Sequence, residues 1–160
     1  REFGGLDIGR GLVLGAGGAG RSVAKKLLDG GAQVEIYDRN FASAKNVENE
    51  FKGVKAVSEV TAEERTIIVN ATGVGMHKTE GVSPVTEEVL AACRVAVDLI
   101  YEPPKSRFLA IAESLGKKII NGRAMLFFQA YYSDCIYFGL TPEKEQAEKL
   151  FNGYLKEVVK

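Results

Sequence analysis

The chain has 160 residues, 46% of them hydrophobic, which suits one domain built around a single buried core. Its 21 Lys and Arg balance 21 Asp and Glu, so no overall field draws it to nucleic acid or to an anionic membrane. No run of about 18 apolar residues is present to span a bilayer, and the first residues lack the layout of a secretion signal. The two cysteines, Cys93 and Cys135, sit in apolar stretches as buried reduced thiols would. A soluble cytoplasmic protein is the expectation.

Arg1 to Gly5 reads as a linker or cloning remnant, and residues 6–160 read as one domain. Strand-like runs then alternate with helical patterns: Leu12 to Leu14, a helix over Ser22 to Leu28, Val34 to Tyr37, a helix over Phe41 to Phe51, and Val54 to Val57. The alternation resumes with Thr66 to Asn70, Val95 to Asp98, a helix from about Ser106 to Leu115, and Lys118 to Asn121. This succession predicts an α/β fold with a doubly wound parallel sheet of about six strands in the order 3-2-1-4-5-6. Two helices follow. Arg123 to Phe138 is apolar on more than one face, so part of it should pack outside a minimal sheet core. Thr141 is the expected N-cap of the last helix, with Pro142 at its first position and Leu150, Phe151, Leu155 and Val158 turned inward.

Gly15-Ala16-Gly17-Gly18-Ala19-Gly20 gives the spacing GxGxxG between a strand and a helix, and Asp38-Arg39-Asn40 closes the next strand about 20 residues on. Gly15 permits a tight turn, Gly17 lets backbone approach a pyrophosphate, and Gly20 lets the helix lie close to the strand. Free N–H groups at the helix start attract the anion. In this context the turn predicts a Rossmann-type dinucleotide site. A turn that serves only packing, or one that holds another adenosine ligand such as S-adenosylmethionine, are the alternatives. Asp38 and Arg39 pull in opposite directions, because a carboxylate accepts from a ribose 2′-OH but repels a 2′-phosphate that a guanidinium attracts. The residues alone leave NAD and NADP open. His77 reads as an exposed loop residue, and the few scattered Cys and His predict no metal site.

The glycine turn, Asp38-Arg39-Asn40, Asn70-Ala71-Thr72-Gly73-Val74-Gly75-Met76, Asp98-Leu99-Ile100-Tyr101, Asn121-Gly122 and Met125-Leu126 with Gln129-Ala130 form an ordered set. Together they resemble the C-terminal domain of the shikimate dehydrogenases and the related quinate/shikimate dehydrogenases, over about residues 6 to 140. The resemblance implies an oxidoreductase of the shikimate pathway that reduces 3-dehydroshikimate to shikimate with NADPH. It implies that Asn70, Ala71 and Thr72 run along the adenosine side of the cofactor, with Met76 following in the loop. By the same resemblance Gly122 and Met125 line the nicotinamide, Tyr101 stands near the substrate and Gln129 hydrogen-bonds a substrate hydroxyl.

It implies, too, a missing partner. The family's acid/base lysine and aspartate belong to an N-terminal substrate domain outside this chain, so no catalytic residue is assigned here and the isolated domain is expected to be inactive. Two departures stand out: the family's Asn-Arg-Thr is Asp38-Arg39-Asn40, with Ser43 where a basic residue is usual, and its Thr-Pro is Ser106-Arg107. NADP, the cofactor that the resemblance implies, stays the expectation, while these departures make NAD or dual use credible. Apolar surface left on the helix Arg123 to Phe138 would suit the missing lobe or a homodimer. The rival readings are an NAD(H)-sensing module and a dehydrogenase of another small hydroxy or amino compound.

Overall fold

A computed structural model describes residues 8–158; the expected linker at residues 1–5 and the side chain of Val158 lie outside what is described. The predicted alternation is realised as β1 (Arg10–Leu14), α1 (Gly18–Asp29), β2 (Gln33–Tyr37), α2 (Phe41–Glu50), β3 (Val54–Val57), β4 (Arg65–Asn70), α3 (Glu87–Ala91), β5 (Cys93–Asp98), α4 (Arg107–Ser114), β6 (Lys118–Ile120), α5 (Arg123–Tyr137) and α6 (Lys144–Val158). The six strands pair in parallel in the order β3-β2-β1-β4-β5-β6, as expected for a doubly wound sheet. Helix α3 was not anticipated, although Thr86 followed by Glu87 and Glu88 is a helix-start signal.

The central strands β1, β4 and β5 carry the apolar runs Leu12 to Leu14, Ile67 to Val69 and Val95 to Val97 because both faces of the sheet are covered there, whereas β2 and β3 alternate. Side chains alternate across it with the period of two that a strand imposes. Val13, Ile67, Val69, Val95 and Val97 meet Ala24 and Leu27 of α1 and Ala44 and Val47 of α2 on one face. Leu12, Leu14, Ile68 and Ala96 meet Leu90 of α3 and Phe108, Leu109 and Ala112 of α4 on the other. Capping fixes where two helices start: the Asn40 side chain accepts from Ala42 N–H, and the Ser106 hydroxyl accepts from Leu109 N–H. Both cysteines are buried and free.

The chain divides into two compact units, Arg1–Asn121 and Gly122–Lys160, where the sequence reading takes residues 6–160 together. In the second unit α5 and α6 meet through aromatic rings: Phe127 and Phe128 lie 5.3 and 5.2 Å from Phe151, and Phe127 lies 5.5 Å from Tyr154. Two expectations are corrected here. Helix α6 starts at Lys144, with the Glu143 carbonyl accepting from Ala147 N–H, so Thr141 is not its N-cap. The Tyr131 hydroxyl accepts from Glu143 N–H at 3.2 Å, so a tyrosine of α5 anchors the start of α6. Leu150, expected inward, is 50% exposed, because the inward stripe of α6 runs through Ala147, Phe151 and Tyr154.

The expectation that α5 is apolar on more than one face holds in a definite form. One face meets α6, while Tyr132, Ile136, Tyr137 and Phe138 are exposed, Tyr137 at 84%. Among the described residues no helix is long and apolar enough to cross a membrane.

Candidate functional site

The site is set by strand ends. The chain leaves β1 towards β2 and returns on its other side with β4, so the strand order reverses between β1 and β4. In open α/β sheets ligands bind in the crevice that such a reversal opens beyond the carboxyl ends. Register aligns those ends: Tyr37, Leu14, Asn70 and Asp98 form one row across β2, β1, β4 and β5. The loops that follow carry Asp38 to Asn40, Gly15 to Gly20, Ala71 to Met76, and Tyr101. The sheet thus gathers these four groups of predicted residues at one edge.

Each glycine of the turn answers to a different constraint. Gly15 has φ 97°, and a Cβ there would lie 2.9 Å from the Ala71 carbonyl oxygen. A Cβ on Gly20 would lie 1.9 Å from the Gly15 carbonyl oxygen, so this position lets α1 sit close to β1. Beyond Gly17 and Gly18 a Cβ would meet nothing within 4 Å. The fold does not need glycine there, and the space is open to a ligand. Gly17 is also the N-cap of α1, with no side-chain cap and no acidic residue in the first turn. The positive end of that helix and its free N–H groups therefore stay available to an anion.

Asp38 is partly buried beside this turn. Its Oδ2 accepts from Ala16 N–H at 2.8 Å and its Oδ1 from Asn40 N–H at 2.9 Å. Arg39 and Asn40 are exposed. Lys45 pairs with Glu48, whereas among the described residues no acidic side chain pairs with Arg39, which leaves its guanidinium open to a phosphate.

The loops after β4 and β5 are tied by buried polar groups that the sequence reading saw singly. The Asn70 Oδ1 accepts from Thr72 N–H at 3.1 Å and from the Thr72 hydroxyl at 2.6 Å, while its Nδ2 donates to the Val74 carbonyl and to Asp98 Oδ1, both at 3.1 Å. Asp98 Oδ1 also accepts from Ile100 N–H at 3.0 Å, and its Oδ2 accepts from the Ser106 hydroxyl at 2.5 Å. Burial pushes the Asp98 carboxyl up from the ordinary aspartate value, against the hydrogen bonds from Ser106, Ile100 and Asn70 that favour its charged form. Asn70 has no exposed surface and all its amide capacity is used. Its side chain therefore supports the loop, whereas Ala71, Thr72 and Met76 keep partial exposure. The sequence reading missed Thr79, whose hydroxyl accepts from Gly75 N–H at 3.0 Å and lies 2.9 Å from the Met76 carbonyl. No local pattern marks it.

Tyr101 is 42% exposed after β5. Gly122, Met125 and Gln129 belong to the second unit, where Gly122 is the uncapped N-cap of α5 and the side chains of Met125 and Gln129 are exposed. His77 is exposed in the loop after β4, in a short 3-10 turn. Among the described residues no group of three or more His, Cys, Asp or Glu could hold a metal ion.

Comparison with known proteins agrees with this geometry. The family model for shikimate / quinate 5-dehydrogenase matches residues 1–91, more than half of the chain. The chain belongs to the shikimate/quinate 5-dehydrogenase family. A relative, the shikimate dehydrogenase (NADP(+)) of Thermus thermophilus, is 38% identical over 149 residues, covering 92% of this chain and 56% of the relative. A chorismate mutase/shikimate 5-dehydrogenase fusion protein from Clostridium acetobutylicum superposes with a TM-score of 0.83 at 32% identity, over 99% of this chain and 58% of that one. The Thermus thermophilus shikimate 5-dehydrogenase solved in complex with NADP(H) and shikimate gives a TM-score of 0.77 at 37% identity, over 92% of this chain and 56% of that one. This member of the family thus spans about half the length of the relatives it matches.

Proposed function

We propose that this chain is the NADP(H)-binding domain of a shikimate dehydrogenase, with 3-dehydroshikimate and shikimate as the substrate pair of the full enzyme. The observation that carries the reading is the glycine turn: two glycines with open space beyond them, at an uncapped helix start, at the reversal of strand order. When bound, the nicotinamide supplies a hydride to the substrate carbonyl. The chain's own part is to bind and orient. Gly15 to Gly20, including Ala16, Gly18 and Ala19, cradle the pyrophosphate; Asp38, Arg39 and Asn40 meet the adenosine ribose; Ala71, Thr72 and Met76, with Asn70 beneath them, form the wall after β4.

The family resemblance assigns Gly122 and Met125 to the nicotinamide, and Tyr101 and Gln129 to the substrate. Proton transfer needs a group within hydrogen-bond reach of the reacting oxygen. In this reading that group belongs to the substrate lobe, which is also the partner suited to the exposed face of α5. A second copy of the chain is the other candidate for that face. We place the enzyme in the cytoplasm.

A titration of this chain with NADPH and with NADH at matched salt, followed by fluorescence or by the shift in melting temperature, tests the reading. Saturable NADPH binding is expected, tighter than NADH if Arg39 outweighs Asp38 and weaker if it does not. Absence of binding to both would overturn the assignment.

A further inference from the structure

Asn70, Asp98 and Ser106 are buried polar residues with no catalytic part in the reading above, and they meet between two loops of the site. On one side, Asn70 holds the loop 71–76 by bonds to Thr72 and to the Val74 carbonyl. On the other, Asp98 holds Ile100 N–H and the Ser106 hydroxyl, and so fixes the backbone that leads to Tyr101. The Asn70 to Asp98 bond is the link between them. A second contact joins the same loops: Gly75, at φ 109°, lies so close to them that a Cβ there would stand 3.2 Å from Ile100 Cδ1 and 3.3 Å from Ser106 Cβ. Backbone adds a third, with Leu99 N–H donating to the Asn70 carbonyl at 3.0 Å.

A buried network whose members are all satisfied is stiff, because moving one member strips a hydrogen bond from another where water cannot replace it. Polar groups cost free energy to bury, and apolar residues would fill this place at lower cost if packing were the whole requirement. What polar groups add is a directional link between the loops.

We propose that Asp98 is a positioning residue that, through Asn70 and Ser106, locks the loop 71–76 to the segment 99–106, so that the cofactor wall and Tyr101 are held as one body. The proposal rests on the reading that both loops face the cofactor. It makes a demand that simple structural support does not: a change made on one loop must loosen the other.

Hydrogen exchange on the chain, with NADPH titrations beside it, tests this. Ser106→Ala removes only the hydroxyl, on the β5 side. It is expected to speed amide exchange within residues 71–76 and to raise the NADPH Kd about three- to tenfold, while Ser106→Thr, which keeps the hydroxyl, restores both. Thr72→Val works from the other side and is expected to speed exchange at Leu99 and Ile100; it decides the matter if Ser106→Ala does not fold. Faster exchange confined to the loop that carries each substitution, with an unchanged Kd, would overturn the proposal. If the unsubstituted chain binds no nicotinamide cofactor, the functional reading fails, and the exchange data still decide whether the loops are locked together.

Discussion

Asp38 and Ala16 are joined across 22 positions by a 2.8 Å hydrogen bond from the Ala16 N–H to the Asp38 carboxylate. The residue that the sequence marks as the reader of the ribose therefore also braces the glycine turn. Its charge stands beside Arg39, which pairs with no acidic side chain among the described residues, and in the proposed function the two set cofactor preference between them. Arg39→Ala is expected to raise the NADPH Kd about tenfold or more, the worth of a hydrogen bond to a charged group, and to leave NADH binding nearly unchanged. Asp38→Asn removes the negative charge and should shift preference towards NADPH. Paired titrations of each variant with the two cofactors check both outcomes.

The glycine turn gives a contrast between two positions of one motif. Gly20→Ala would drive a Cβ into the Gly15 carbonyl oxygen, and a loss of about 3 kcal/mol or more in urea unfolding is expected. Gly17→Ala meets no protein atom, so its cost in stability should be about 1 kcal/mol or less. NADPH affinity should nevertheless fall at least about tenfold, because the methyl group enters the open space that the proposed function gives to the pyrophosphate. Equal loss of stability in the two variants would contradict the division of roles.

Asp98 predicts a pH dependence with a definite sign. Its carboxyl is raised in the folded chain, mainly by burial, so the native state binds a proton more readily than the unfolded state. Its contribution to stability is complete below the ordinary aspartate value and declines as pH rises through the raised native value. Asp98→Asn removes that decline. The stability of this variant relative to the parent should therefore improve from acid to neutral pH in urea melts, and a parallel pair of profiles would rule the account out.

Arg65 is a buried charge at the opposite, amino-terminal end of β4. It is 2% exposed, with Nε 2.9 Å from Glu35 Oε2 and Nη1 2.7 Å from the Thr61 carbonyl. Glu35→Ala would leave the guanidinium without its partner, and a loss of about 3 kcal/mol in urea unfolding is expected. NADPH affinity of the folded variant should hold, since the polar contacts of Glu35 and Arg65 run to each other and to Arg10, Thr61 and Glu63, none of them a residue of the site.

The Cys93 thiol is pushed up by burial, an effect that nearby Lys117 only partly offsets. Thiolate is the reactive form, so the folded chain should resist thiol-directed reagents at neutral pH, and Cys93 should label rapidly once urea unfolds it.

Much of this architecture was legible in the sequence because its signals are local. Val54 to Val57 is found as a strand with the ends expected, and the helix expected from about Ser106 starts there, with Ser106 as its N-cap. Where signals compete the reading slips. Thr141 and Pro142 look like a helix start, yet the hydroxyl of Tyr131 draws the chain so that α6 begins at Lys144. Leu150 looks inward on apolarity alone, but the ring contacts of Phe151 and Tyr154 with Phe127 fix the rotation of α6 and leave it exposed.

The sequence by itself determined the six strands and every helix but α3, the glycine turn and the family resemblance, because periods of two and 3.6 and a six-residue spacing are written in neighbouring positions. Tertiary structure decided which polar residues work together. Asn70 and Asp98 are 28 positions apart and meet only because β4 and β5 pair in register, and Ser106 reaches Asp98 because the chain turns back over the end of β5 to begin α4. A hydrogen bond needs partners about 3 Å apart, and that proximity is a property of the folded sheet, invisible to any window of the chain.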